Sequence, residues 1–171
     1  MTASTQLPAV IDYLVTTCQA SSSLGASTTA PVVVVDGPQV TPDLLENQRL
    51  LWIGYDHLNP GAEAAAATQD WPNLDQARTL DEDGEIACSA QFWSGDTAMK
   101  VNRDGCAAIV EAVATLLAGT TISGGPGDTQ MGGLVFWSRV AAWAWAQQQN
   151  TGGATAVCAF RIVYQARVTP S

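Results

Sequence analysis

The sequence predicts an α+β domain: a mostly antiparallel sheet with a long C-terminal β-hairpin, flanked by two main helices. Three observations carry this. The segment Thr155–Val168 keeps a period of two for its whole length. Two other segments, Leu7–Cys18 and Arg103–Ala118, carry apolar residues at helical spacing. Short β-branched or alternating runs bounded by turn residues lie between them. Helix that covers one face of a mostly antiparallel sheet defines the class.

In chain order, Leu7, Val10, Ile11, Leu14, Val15 and Cys18 form an amphipathic stripe, with Thr5 as N-cap and Pro8 in the first turn. The helix is expected to end in Ser21-Ser22-Ser23. Pro31–Val35 reads as a strand stopped by Asp36-Gly37-Pro38, and Arg49–Tyr55 as a second strand. Residues 56–84 show no sustained period and are expected to form a long loop, with Asp81-Glu82-Asp83 as a solvated acidic turn. Trp71, a large apolar side chain in that polar setting, is expected either to fold back over the sheet edge or to dock on a neighbouring molecule.

Ile86–Trp93 alternates again, and Ser94, Asp96 or Thr97 is placed to cap the helix that follows. Cys106, Ile109, Val110, Val113, Leu116 and Leu117 make that helix's buried stripe, and Gly119 ends it. Residues 120–133 form a glycine-rich loop. Leu134–Ala146 then reads as a long strand, bulged near Ala141, with Trp137, Trp143 and Trp145 on one face that packs on helices or on another subunit. Gln147–Gly153 is a polar hairpin loop into the last strand. There, Ala156, Cys158, Phe160, Ile162, Tyr164, Ala166 and Val168 share one face, which spans roughly 45 Å at about 3.3 Å per residue.

The chain has 171 residues, which suits a single domain over 1–171. Hydrophobic residues are 47% and charged residues 13%. Where about a quarter charged is usual, the deficit points to surface covered by something, including copies of the same chain. A net charge of −9 argues against nucleic-acid binding and against an anionic membrane surface. No run approaches the roughly 20 apolar residues of a membrane span, and the N-terminus lacks the basic region of a secretory signal. Cys18, Cys88, Cys106 and Cys158 are far apart and read as buried small hydrophobes in a reducing compartment rather than as disulfides or metal ligands.

Few residues suggest chemistry. His57 is the only histidine, beside Asp56 and with Asp36 on an earlier turn, and no GxSxG elbow accompanies it. Gly124-Gly125-Pro126-Gly127 lacks the GKS or GKT and the following helix of a phosphate loop. The acidic run lacks EF-hand spacing. The residues therefore predict no enzyme, no catalytic or metal-binding residues and no cofactor. A small enzyme or ligand-binding domain using Asp36, Asp56 and His57 is the alternative.

The element order resembles the tail terminator family of long-tailed bacteriophages. The resemblance rests on the opening amphipathic helix, the strand ending in Asp36-Gly37-Pro38 and the strand Leu51-Trp52-Ile53-Gly54. It continues in a strand ending Phe92-Trp93-Ser94-Gly95-Asp96 before a helix, and in a closing hairpin with Phe160-Arg161-Ile162-Val163-Tyr164. Other neck and tail-completion proteins that join head to tail share parts of this layout. The resemblance implies a virion protein at the head-proximal end of the tail, assembled in the host cytoplasm. It would form a homohexameric ring that caps the tail tube protein, stops its polymerisation and meets the head–tail connector. DNA would slide through an acidic lumen without specific binding, and no membrane is involved. Residues 56–83 and 120–133 are expected to touch neighbours, with Trp71, Asp128 and Met131 among the contacts. Arg161 and Arg167, on the polar face of the last strand, are expected either to pair with carboxylates across a subunit boundary or to make ordinary surface salt bridges.

Overall fold

A computed structural model describes residues 5–26, 31–38, 49–70, 79–94, 98–119, 128–150 and 153–169. The elements run α1 (Leu7–Ala20), β1 (Val33–Asp36), β2 (Arg49–Ile53), β3 (Ala65–Asp70), β4 (Leu80–Ser94), α2 (Met99–Ala118), β5 (Trp137–Asn150) and β6 (Gly153–Val168). A single π-helical turn, Ser22–Ala26, follows α1, and a 3₁₀ turn, Met131–Gly133, precedes β5. The class is α+β, with a six-stranded, mostly antiparallel sheet that closes on the β5–β6 hairpin.

The strand order is β1-β2-β4-β6-β5, and β3 also pairs with β4. β4 is the axis. One of its edges pairs with β6 over its full length, from Leu80↔Val168 to Ser94↔Ala154. Its other edge is shared between β2, opposite residues 88–92, and β3, opposite residues 81–86. Among the described residues, only β1 and β2 pair in parallel. Gly37 ends β1 at φ +67, a left-handed turn that glycine adopts without cost, and its N–H donates to Ile53 O at 2.7 Å.

The core lies between one face of the sheet and the two helices. All seven residues expected on the apolar face of β6 are buried, and all but Val168 share one core cluster with Ile86, Cys88, Ala90 and Phe92 of β4. Val10, Leu14 and Cys18 of α1 close the core, with Cys106, Ile109, Val110, Val113 and Leu117 of α2. Each such aliphatic side chain, fully buried, contributes about 1.5–3 kcal/mol of transfer free energy. All four cysteines are free and buried.

Several expectations are corrected. The stretch 56–84 is not one loop. It contains β3, and β4 begins at Leu80, six residues before the expected strand. The run AAATQD has no period of its own and becomes strand through its ladder to β4. Asp81-Glu82-Asp83 is strand rather than acidic turn, and Glu82 is fully buried. The loop Gln147–Gly153 is also mostly strand, because β5 continues to Asn150 and β6 starts at Gly153.

Helix ends differ as well. The N-cap of α1 is Gln6; Thr5 Oγ1 still accepts the Leu7 N–H at 3.2 Å. The Gln6 N–H goes instead to Glu82 Oε1 at 3.0 Å, so a strand carboxylate sits at the positive end of α1. The N-cap of α2 is Ala98, with no side-chain cap; Ser94 lies in β4, and Asp96 and Thr97 lie outside the described residues. Gly119 ends α2 in an extended conformation. Two carbonyls at the end of α2 receive downstream donors: Asp128 N–H donates to Leu116 O at 2.7 Å and Thr129 N–H to the C-cap Gly119 O at 3.1 Å.

Candidate assembly interface

The helices cover one side of the sheet, and the other side is only partly covered. Alternation along β6 sends Thr155, Val157, Ala159, Arg161, Val163, Gln165 and Arg167 to that second face. Its β1–β2 end carries a small apolar cluster of Val35, Leu50 and Trp52, with Val33 and Tyr55 packed on it. His57 closes this cluster by stacking on Trp52, with ring centroids 4.9 Å apart and planes 14° apart. Its backbone N–H donates to Ser89 Oγ at 2.8 Å, and Ser89 Oγ donates to Tyr55 O at 3.0 Å.

This arrangement gives His57 a packing role. Burial lowers its pKa below the ordinary value, with Asp56 opposing the shift. The Asp56 carboxylate is occupied elsewhere. Its Oδ1 accepts the N–H groups of Leu58 and Asn59, each at 3.0 Å, and its Oδ2 receives Arg161 Nη2 at 3.2 Å. Asp36 sits in register with Ile53 at the exposed end of β1. Among the described residues, no group of three or more His, Cys, Asp or Glu side chains is placed to hold a metal ion. No helix among them is long and apolar enough to cross a membrane.

The expected contact residues fall in different settings. Arg161 pairs with Asp56 and also with Glu85, at 3.1 Å. Arg167 makes a two-pronged contact with Asp81, at 2.9 and 3.4 Å, and lies 5.2 Å from the centre of the Phe136 ring. Both arginines thus have carboxylate partners within their own chain. Asp128 is a turn-former: Oδ1 accepts Gln130 N–H at 2.8 Å, Oδ2 accepts Gly132 N–H at 2.5 Å, and Tyr13 Oη lies 3.5 Å from Oδ2. Met131 is corrected: its side chain is fully buried in the core, so it offers no surface to a neighbour. Trp71 lies outside the described residues, as do residues 120–127.

The margin of the sheet at β5 is where exposed apolar surface gathers. β5 is 14 residues long and pairs only with β6 among the described residues, so its outer edge has no strand beside it. Phe136, Trp137, Trp143 and Trp145, on or next to it, are 46%, 39%, 59% and 42% exposed. Large aromatics at that exposure on an open strand edge are a costly surface for an isolated chain.

A bulge distributes them. The register shifts between Ala141 and Trp143, and Ala142 takes φ +51. Before the bulge, Trp137 lies opposite Gln165, on the partly covered face, and its Nε1 donates to Gln165 Oε1 at 3.2 Å. After it, Trp143 and Trp145 lie opposite Phe160 and Cys158, on the helix side. The expectation that the three tryptophans share one face is therefore corrected: the extra residue reverses the alternation between Trp137 and Trp143. The signal was present in the sequence as the interrupted alternation near Ala141.

No protein-family model matches this chain, and no curated protein matches it.

Proposed function

We propose that this chain is a structural virion subunit that works by self-association, as a hexameric tail terminator ring at the head-proximal end of a phage tail. The observation that carries this reading is the open β5 edge with its exposed aromatics. A strand edge of that length and bulk calls for a protein partner, and self-association covers it without a second gene product. A closed ring needs two different surfaces on each subunit. The β5 margin and the β1/β3 margin are such a pair.

In this reading the ring stacks on the last ring of the tail tube protein and lacks the face needed to add another. It presents its far side to the head–tail connector. The net charge of −9 suits a lumen that DNA slides through without sticking. The polar groups around His57 serve packing, so the reading assigns the chain no reaction, metal or cofactor.

The test is assembly. Native mass measurement of the chain, alone and with its tube protein, should give hexamers at least in the mixture, and tails made without the chain should be over-long. A chain that stays monomeric beside tube protein, with tails of normal length in its absence, overturns the proposal.

A further inference from the structure

We infer that the free chain pairs with a second copy of itself through β5, the two strand edges lying antiparallel about a twofold axis at Ala144. This goes beyond the ring reading, because it describes the chain before a ring forms, and the two can fail separately.

A register centred on Ala144 suits both faces of the edge. An antiparallel join about an axis perpendicular to the sheet puts the helices of both copies on the same side. Ala144 then meets the second copy's Ala144 on the partly covered face, and Trp143 meets its Trp145 on the helix side. Further out, each strand passes the other's bulge as β6 already does, skipping Ala142. Ala146 meets Ala141, Gln147 meets Val140 and Gln148 meets Arg139. Every pair shares a face, because the extra residue shifts register and alternation together.

Size fits on the helix side. There, two tryptophans from each copy gather round the axis in cross-strand aromatic pairs, a favourable combination. α2 packs on β6 and on both of its neighbours, β4 and β5. In the pair the two α2 helices therefore stand over strands three spacings apart, about 14 Å. Helices in direct contact stand about 8–10 Å apart. The difference leaves a gap between them that Trp143 and Trp145 fill. The other face of the join holds only alanines near the axis.

Charge fits as well. Arg139 is the only charged residue of β5. In this register it faces a glutamine amide, and the two copies of Arg139 lie roughly 26 Å apart along the strands, well beyond a Debye length of about 8 Å. No like charges are opposed.

Trp143 and Trp145 are 59% and 42% exposed, together about one whole indole, or roughly 250 Å² per copy. With the paired edges over residues 139–148 added, the total lies near the lower bound of specific interfaces, about 1,200 Å². That suits a dimer that comes apart. While it lasts, it covers the β5 margin and withholds one of the two surfaces a ring uses.

The test is a single substitution in the full chain, Ala144→Cys. Residues opposed across antiparallel strands have Cα atoms about 4.5–5.5 Å apart, within disulfide range, and the native thiols are all buried. Mild oxidation should convert this variant to a disulfide-bonded dimer and go no further. Arg139→Cys alone should give no such bond, and Arg139→Cys with Gln148→Cys should restore it. Without oxidant, sedimentation should give twice the chain mass, falling to the monomer on dilution. Oxidised Ala144→Cys mixed with tube protein should give at least tenfold fewer hexamers than the same sample after reduction.

A chain that is monomeric at every concentration, or that cross-links through Arg139→Cys and not through Ala144→Cys, overturns the inference. Oxidised dimers that enter hexamers as readily as reduced chain overturn the withholding of the β5 margin. Hexamers formed with tube protein by a chain that never dimerises alone overturn the dimer and leave the ring reading standing. Ala144-linked dimers from a chain that never forms hexamers support the dimer and overturn the ring.

Discussion

Tyr164 donates its hydroxyl to Glu82 Oε1 at 2.9 Å, across β6 and β4, where the two residues are 1% and 0% exposed. The same carboxylate accepts Gln6 N–H, and its other oxygen accepts Gln69 Nε2 at 2.8 Å. One buried acid thus ties α1, β3 and β6 to β4. Burial and the carboxylate together raise the Tyr164 pKa, which keeps the hydroxyl a donor.

Removing one donor should therefore be expensive. Tyr164→Phe is expected to cost about 1–3 kcal/mol, because a buried carboxyl oxygen loses a hydrogen bond and nothing replaces it. Glu82→Gln keeps the shape and an acceptor, and should cost less than Glu82→Ala, which strands three donors. Urea midpoints at constant m-value measure the order. Equal midpoints for Glu82→Ala and the parent chain contradict it.

Gly84 lies opposite Tyr164 in the β4–β6 ladder, and a Cβ there would run into the tyrosine ring. Gly84→Ala must push the ring aside and weaken its bond to Glu82, an overpacking cost of about 1–3 kcal/mol. In a Tyr164→Ala background the obstacle is gone, and the penalty should largely vanish. A double-mutant cycle reads this as a coupling of about 1 kcal/mol or more; strict additivity rejects it.

This cluster also shows what local pattern can and cannot reveal. The alternation of β6 and the stripes of α1 and α2 were legible, because each side chain's burial follows from its own period. Glu82 was not. Its partners Gln6 and Tyr164 lie 76 and 82 residues away, and an isolated Asp-Glu-Asp has the composition of a surface turn. β3 was hidden for a related reason: Ala65–Asp70 is extended because β4 offers it a ladder. At β5 the bulge was legible, but its consequence for the tryptophans depends on the pairing register.

His57 predicts a pH dependence. Its pKa is lowered below the ordinary 6.5, chiefly by burial, so the unfolded chain takes up a proton at a pH where the folded chain does not. The contribution of the neutral ring is complete above about pH 6.5 and declines as pH falls below that value. His57→Phe keeps an aromatic stack on Trp52 and removes the titration. Stability measured from about pH 7.5 down to about pH 5 should fall less steeply in this variant than in the parent chain. Parallel curves reject the assignment.

The thiols should be inert in the folded chain. Burial pushes Cys18 and Cys106 up to about 12 and Cys158 up to about 11, and raises Cys88 as well. Thiolate is the reactive form, so alkylation at neutral pH should proceed only through unfolding. Mass spectrometry should find unmodified protein in buffer and four adducts in denaturant. Rapid labelling of any one cysteine in buffer contradicts its place in the core.

The bulge at Ala142 separates strain from assembly. A non-glycine residue at φ +51 costs roughly 1–2 kcal/mol, a cost that glycine avoids. Ala142→Gly keeps the extra residue, and with it the placement of Trp143 and Trp145 on the helix side. It should raise the urea midpoint by an amount equivalent to about 0.5–1 kcal/mol and leave self-association unchanged. Ala142→Val tolerates the left-handed conformation less well, because the branched side chain crowds the backbone, and should lose stability. Replacing Trp143 and Trp145 together by Ser acts on the other property: it removes the exposed aromatic surface and leaves the bulge and the β5–β6 register in place. Helical content by circular dichroism should persist, since α1 packs on β1, β2 and β3 and α2 on β4 and β6 as well as β5, while the mass in solution should drop to that of the monomer. A Trp143→Ser, Trp145→Ser chain that folds and still assembles would mean that the tryptophans do not direct the contact.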